Sequence, residues 1–137
     1  MSLSGKVAII TGGGTGIGFG ITQVLAGKGV KLAIARFGRI NILVNNASVT
    51  GMPAIASFLD GSPAKVDQIV DVNPKGAFYC SQLVARRMAA AGQGGSVVHI
   101  ASVGAYAAQE FASLYCATKA AQVSLARSLR RSVRPYW

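Results

Sequence analysis

Acidic residues are scarce in this sequence: Asp60, Asp67, Asp71 and Glu110 stand alone against 14 lysines and arginines, giving a formal net charge of +10. None precedes Asp60. Such an excess attracts anions, nucleic acid among them. The basic residues are scattered without interleaved aromatics on which bases could stack, so no nucleic-acid-binding surface is expected. Arg127, Arg130, Arg131 and Arg134 crowd the last eleven residues and read as a solvated helix face with a frayed end. Cysteine is nearly missing as well. Cys80 and Cys116 are too few and too far apart for a disulfide framework, a CxxC pair or a zinc site, and are expected as small buried apolar side chains. Long hydrophobic runs are also lacking. Mean hydropathy is +0.43, yet glycine or charge interrupts every stretch before the roughly 18 apolar residues of a membrane span. The apolar run Val7 to Ile10 falls short of a secretory h-region of roughly 7 to 15 residues, and a cytoplasmic location is expected.

What is present is a compact domain's composition: 51% hydrophobic residues, 13% charged and 17 glycines in 137 residues. One domain over residues 1–137 is expected, large enough to bury roughly two thirds of its unfolded surface. Gly5 to Thr11 reads as a short buried parallel strand ended by glycines. A helix follows from Ile17, with Ile17, Ile21, Val24 and Leu25 on one face and Gly27 and Gly29 as its stop. Val30–Ala35 and Ile40–Val44 are further strand candidates, and Ser48–Pro63 is a loop with room for one helical turn. Ala64–Ala91 keeps a helical stripe through Val66, Ile69, Val70, Ala77, Cys80, Val84 and Met88, kinked where Asn73-Pro74 removes a backbone hydrogen bond. Ser96–Ala101 is a fourth strand. Ala112 to about Arg131 is a last helix, with Leu114, Ala117, Ala121, Leu125 and Leu129 as its apolar stripe. Strands alternating with helices predict an α/β fold.

Two constellations carry chemistry. Thr11-Gly-Gly-Gly-Thr-Gly-Ile-Gly18 joins a strand to a helix, where glycines let backbone N–H groups approach a pyrophosphate. Its spacing is T-G-x-x-x-G-x-G, on Gly12, Gly16 and Gly18, and a tight turn needing positive φ explains such a run nearly as well. The second is Tyr115-Cys-Ala-Thr-Lys119, whose i and i+4 positions put a phenol and an ammonium on one helix face. Ser102 lies thirteen residues earlier, at the carboxyl end of a strand, where open α/β sheets bind ligands. Carbonyl reduction calls for a donor to the carbonyl oxygen, an acid to protonate it and a cation beside the phenol. Ser102, Tyr115 and Lys119 match those three needs.

With Asn45-Asn46-Ala47 and Asp71-Val72-Asn73 in between, these motifs occur in the order of the short-chain dehydrogenase/reductase family, which the chain resembles up to about Arg130. The resemblance implies an incomplete Rossmann-like, doubly wound and mainly parallel sheet flanked by helices. It further implies an NAD(P)-dependent oxidoreductase transferring hydride between nicotinamide and a carbonyl or secondary alcohol. Cofactor binding then falls to Gly12, Thr15, Gly16, Ile17, Gly18, Asn46 and Ala47, with Tyr115 and Lys119. Ser102 orients the substrate carbonyl and Tyr115 is the acid/base. Lys119 holds the nicotinamide ribose and lowers the tyrosine pKa, and Asn73 supports a proton relay. Ser48 departs from the glycine that usually follows Asn-Asn-Ala, and mid-strand His99 is expected as a packed or edge residue. The family dimerises through its two long helices, which implies a homo-oligomer and also opens an alternative: a catalytically silent truncated member acting only as an interaction partner.

Family members are roughly twice this length, and the sheet's own rules show where residues are lacking. Only Arg36-Phe-Gly-Arg39 joins the second and third strand candidates, whereas a parallel crossover takes roughly a dozen residues. Five Cα steps reach about 18 Å, and returning a strand length while moving two strands sideways needs roughly 20 Å. The family order 3-2-1-4-5 therefore requires strand residues to be given up. Arg36 occupies the place after strand two where the adenosine ribose is read, and with no acid there it leans the cofactor toward NADP(H) over NAD(H). The stretch from Ser128 to Trp137 shows no family motif and reads like the end of a truncated frame.

Overall fold

The computed structural model describes residues 2–32, 38–51, 54, 57–92 and 94–133. Four strands, β1 (Val7–Ile10), β2 (Lys31–Leu32), β3 (Ile42–Asn45) and β4 (Ser96–His99), form one parallel sheet in the order β2-β1-β3-β4. Helix α1 (Gly16–Gly27) connects β1 to β2. Helices α2 (Pro63–Val70) and α3 (Gly76–Ala90) connect β3 to β4, and α4 (Ser113–Val133) follows β4. The chain steps one way along the sheet from β1 to β2 and the other way from β3 to β4. Right-handed crossovers then put α1 and α3 on opposite faces. This is the doubly wound arrangement the sequence predicts, and its switch point lies between β1 and β3.

The flanking order around β1 survives the short connection. β2 is described over Lys31–Leu32 only, and β3 begins at Ile42, two residues after Ile40. The expected strand residues 33–35 and Arg36 lie outside the described residues. Asn41, expected as an ordinary strand residue, instead ties three strands at their amino ends. Its side chain accepts from the Val7 N–H at 3.0 Å, its own N–H donates to the Val7 carbonyl, and its carbonyl accepts from the Ser96 N–H.

The core is small-sided. Leu43, Val84 and Met88 form its centre, with Ile9, Ile40, Cys80 and Val97 packed against them. Two apolar stripes are placed differently from expectation. On α1 the inward residue is Gly18, flanked by half-buried Ile21 and Leu25, while Ile17 and Val24 stand exposed. On α4 the buried residues are Thr118, Lys119 and Gln122, and Ala117 and Ala121 face outward. Periodicity marks a helix but does not say which face its neighbours will cover. Both cysteines are half-buried and unpaired.

The kink at Asn73-Pro74 appears as a π turn, Asp71–Lys75, between α2 and α3. Pro74 has no N–H for the i−4 carbonyl and its ring crowds that position, so the helix widens by one residue instead. Ser62 caps the start of α2, accepting from the Lys65 N–H, with Pro63 in the first turn. The loop before it carries a 3₁₀ turn, Phe58–Asp60. Among the described residues no helix is long and apolar enough to cross a membrane.

Candidate active site

The switch point is held by one hydroxyl. Thr11 Oγ1, at the carboxyl end of β1, accepts from the backbone N–H groups of Asn46 and Ala47, each at 3.0 Å. The Asn46 amide returns two bonds, donating from Nδ2 to the carbonyls of Thr11 and Gly12. The loop after β3 is thereby locked against the glycine turn after β1. Gly12 has φ +66° and Gly16 +50°, backbone that L side chains rarely adopt. A Cβ on Gly18 would strike the Gly12 carbonyl oxygen and the Asn46 amide. Gly12, Gly16 and Gly18 are consequently kept bare. Thr15 is the N-cap of α1, but its side chain caps nothing, and Ile17 stands exposed on the first turn.

The second half is built on α4. Lys119 is 2% exposed, and its Nζ donates to the Ile100 carbonyl at 2.9 Å, just beyond β4. The same nitrogen stands 5.7 Å from the centre of the Tyr115 ring. Burial holds the ammonium below its ordinary pKa of 10.5, and no acidic partner faces it among the described residues. Ser102, two residues after Ile100, caps a 3₁₀ turn, Val103–Ala105, by accepting from the Gly104 N–H at 3.2 Å. That turn presses on α4. A Cβ on Gly104 would come within 2.9 Å of Cys116 Sγ, so Ser102 and Tyr115 sit on two surfaces in contact.

Asn73 connects the two halves. It is fully buried in the π turn, its Oδ1 accepts from the Val49 N–H at 2.7 Å, and its Nδ2 donates to the Val49 carbonyl and to Thr118 Oγ1. Val49 lies two residues after Ala47, and Thr118 directly precedes Lys119. The Asn73 carbonyl in turn accepts from Gln122 Nε2 at 2.9 Å. The structure thus gathers Gly12, Gly16, Gly18, Asn46 and Ala47 at one end of β1 and β3, and Ser102, Tyr115 and Lys119 at the β4–α4 junction, with Asn73 between. Arg36 lies outside the described residues.

Thr118 and Gln122 are structural contributors that motif reading passes over, and Thr11, quoted as the first residue of the glycine motif, is given no role by it. A signal for two of them was present: Tyr115, Thr118, Lys119 and Gln122 follow the i, i+3, i+4, i+7 spacing of one helix face, a polar stripe beside the apolar one. His99 sits on the edge strand as expected. Its Nδ1 is 3.5 Å from the Asn45 amide, and burial, then the Lys119 charge, keep the imidazole below its ordinary 6.5.

A parallel, doubly wound sheet with a glycine turn at its switch point defines the Rossmann-like class. A sequence profile described as short chain dehydrogenase matches residues 29–136, and the chain belongs to that family. The match runs past Arg130, so the stretch from Ser128 carries family character that its lack of motifs hides. Galactitol 2-dehydrogenase of Agrobacterium fabrum is 30% identical over 168 aligned positions, covering 93% of this chain and 64% of that protein. L-rhamnose 1-dehydrogenase (NAD(P)(+)) of Azotobacter vinelandii is 34% identical, covering 99% of this chain and 52% of its own length. The chain therefore spans less than two thirds of these relatives. The 168 aligned positions also exceed the chain's 137 residues, so the Agrobacterium protein carries residues inside the aligned region that this chain does not.

Solved structures agree. A gluconate 5-dehydrogenase from Burkholderia cenocepacia J2315, in complex with NADP and tartrate, superposes with a TM-score of 0.88 at 27% identity, over 97% of this chain and 68% of that one. A 3-ketoacyl-(acyl-carrier-protein) reductase from Brucella melitensis, complexed with NADH, gives 0.90 at 26% identity, over 98% and 73%.

Proposed function

We propose that the chain is one dinucleotide-binding unit of an NAD(P)-dependent oxidoreductase that interconverts a carbonyl and a secondary alcohol. The observation that carries this reading is the buried Lys119 ammonium, fixed on the Ile100 carbonyl with the Tyr115 ring beside it. A buried cation without an acidic partner is costly to keep, and a phenol next to it is a group placed to exchange a proton.

The residues present fit a dinucleotide. Positive φ at Gly12 and Gly16 and the close approach of Gly18 to the Gly12 carbonyl keep side chains off these positions, and the first turn of α1, uncapped by any side chain, offers amide donors and the positive end of the helix dipole to a pyrophosphate. Gly12, Thr15, Gly16, Ile17, Gly18, Asn46 and Ala47 would line it, with Lys119 and Tyr115 at the nicotinamide ribose. When bound, that group supplies or accepts the hydride. Ser102 then donates to the substrate carbonyl, Tyr115 gives its phenolic proton to the oxygen as it gains negative charge, and Lys119 keeps positive charge beside the phenol. Asn73 is a positioning residue. Its side-chain groups are engaged with Val49 and Thr118, so it fixes the α4 face rather than carrying a proton.

The test is Tyr115→Phe, which keeps the ring and removes the hydroxyl. Assayed on polyols and sugars, the compounds named in relatives such as galactitol 2-dehydrogenase and L-rhamnose 1-dehydrogenase, turnover should fall by about 10² to 10⁴ with cofactor affinity nearly unchanged. Wild-type turnover by that variant would overturn the assignment. The silent-partner reading gains no support from these relatives, several of which are dehydrogenases by name.

NADP(H) is the preferred cofactor in this reading, supported by the absence of any acid before Asp60 and by Arg36 after strand two. Arg36→Asp should weaken NADPH binding more than NADH binding in a fluorescence titration. An equal effect on both would show that Arg36 does not read the 2′-phosphate.

A further inference from the structure

Helix α4 buries three polar side chains, Thr118, Lys119 and Gln122, and two of them grip the same residue. Asn73 Nδ2 donates to Thr118 Oγ1, and the Asn73 carbonyl accepts from Gln122 Nε2 at 2.9 Å. Lys119 is bracketed by these bonds, directly after the first and within one turn of the second. In the π turn the Gly76 N–H is shared between the Asn73 and Asp71 carbonyls, so the hydrogen from Gln122 gives Asn73 a partner that the divided backbone bond does not. Gln122 is 1% exposed, yet its Oε1 has no hydrogen-bond partner. A buried acceptor left without a donor is a standing cost to stability, and an apolar side chain of similar length would escape it.

We propose that Gln122 is a positioning residue for Lys119: its amide ties α4 to the π turn and thereby holds the ammonium on the Ile100 carbonyl beside the Tyr115 ring. The proposal rests on the reading of Lys119 and Tyr115 as the pair that handles the proton. Thr118 alone fixes one point of this helix face, and a lysine stem with four rotatable carbons can reach one carbonyl in several rotamers. A second bond, one turn along the helix, fixes the rotation of the face that carries Lys119. The unpaired Oε1 marks a side chain kept for geometry at the expense of stability, the conflict expected beside a functional group.

The test is Gln122→Met, close to glutamine in length and volume, in the whole chain without cofactor, labelled with ¹³C at the lysine Cε and titrated by NMR. Burial holds the Lys119 ammonium below its ordinary 10.5, and His99 on β4 and Tyr115 on α4 are the titratable groups beside it among the described residues. Released from its brace, Lys119 gains solvent, so its midpoint should move up toward 10.5 while the melting temperature stays at or above the parent's. Turnover on the polyols and sugars should fall by about tenfold to a hundredfold. Ser81→Ala removes another buried polar group, bonded to Asn45 and to the Ala77 carbonyl, and should do the reverse: lower the melting temperature and leave the Lys119 midpoint in place. An unmoved midpoint in Gln122→Met would overturn the proposal, as would an equal movement in Ser81→Ala. Wild-type turnover by Tyr115→Phe, with the midpoint still displaced by Gln122→Met, would end the oxidoreductase reading and leave the positioning of Lys119 by Gln122 standing.

Discussion

The loops that follow β1 and β3 and the seam between β3 and β4 belong to one four-stranded sheet, yet their polar groups are served very differently. At the first, the Thr11 hydroxyl takes two amide hydrogens and the Asn46 side chain takes two carbonyls. At the second, Asn45 Oδ1 and His99 Nε2 are buried without a hydrogen-bond partner, although Asn45 Nδ2 reaches Ser81 at 2.8 Å. Gln122 Oε1, on the α4 face, is a third such atom. A buried polar atom left unpaired costs about 1–3 kcal/mol. The interior switch point is thus the well-satisfied region, and the β4 side carries unspent hydrogen-bonding capacity. Functional residues lie on the boundary: Lys119 belongs to the β4 side by contact and reaches the other through Thr118 and Asn73.

Asn73→Ala is the variant that tests this boundary hardest. It removes three side-chain hydrogen bonds and leaves the Val49 amide unpaired, while the Val49 carbonyl keeps only the Ser48 hydroxyl, so urea denaturation should show a loss of about 3 kcal/mol. A loss under about 1 kcal/mol would mean that the two halves do not depend on this pin.

A smaller effect belongs to the switch point alone. Gly18→Ala drives a methyl into the Gly12 carbonyl and the Asn46 amide, and the backbone must move to admit it, costing about 1–3 kcal/mol by thermal unfolding. Gly14→Ala is the matched control. Nothing lies within 4 Å of a Cβ there, and its stability should stay within about 0.5 kcal/mol of the parent.

The smallest effect falls on the β4 side and is read through pH. His99 is held below its ordinary pKa, by burial first and by Lys119 second. The unfolded chain therefore binds the His99 proton at a higher pH than the folded chain. Stability should rise with pH up to the window's upper limit near 6.5 and be lost on acidification through it. His99→Asn should flatten that slope between about pH 5 and about pH 7. An unchanged slope would place the acid sensitivity elsewhere.

Much of the site is local chemistry and was therefore legible in the residues themselves. Glycine at positive φ marks the turn at Gly12 and Gly16, a proline without an N–H marks the break at Pro74, and four residues of helix put Tyr115 and Lys119 together. Each follows from the geometry of a few neighbouring residues, whatever else the chain does. The tertiary structure decided which face of each helix is covered. It turned α1 inward on Gly18 rather than on Ile17 and Val24, and α4 inward on Thr118, Lys119 and Gln122 rather than on its alanines. It also recruited Asn41 to join three strands and kept β2 and β3 on either side of β1. Those outcomes depend on what distant elements present to one another. A helix face is buried where a hydrogen-bonding partner such as the Ile100 carbonyl or Asn73 awaits it, and no spacing within the helix encodes that partner's position.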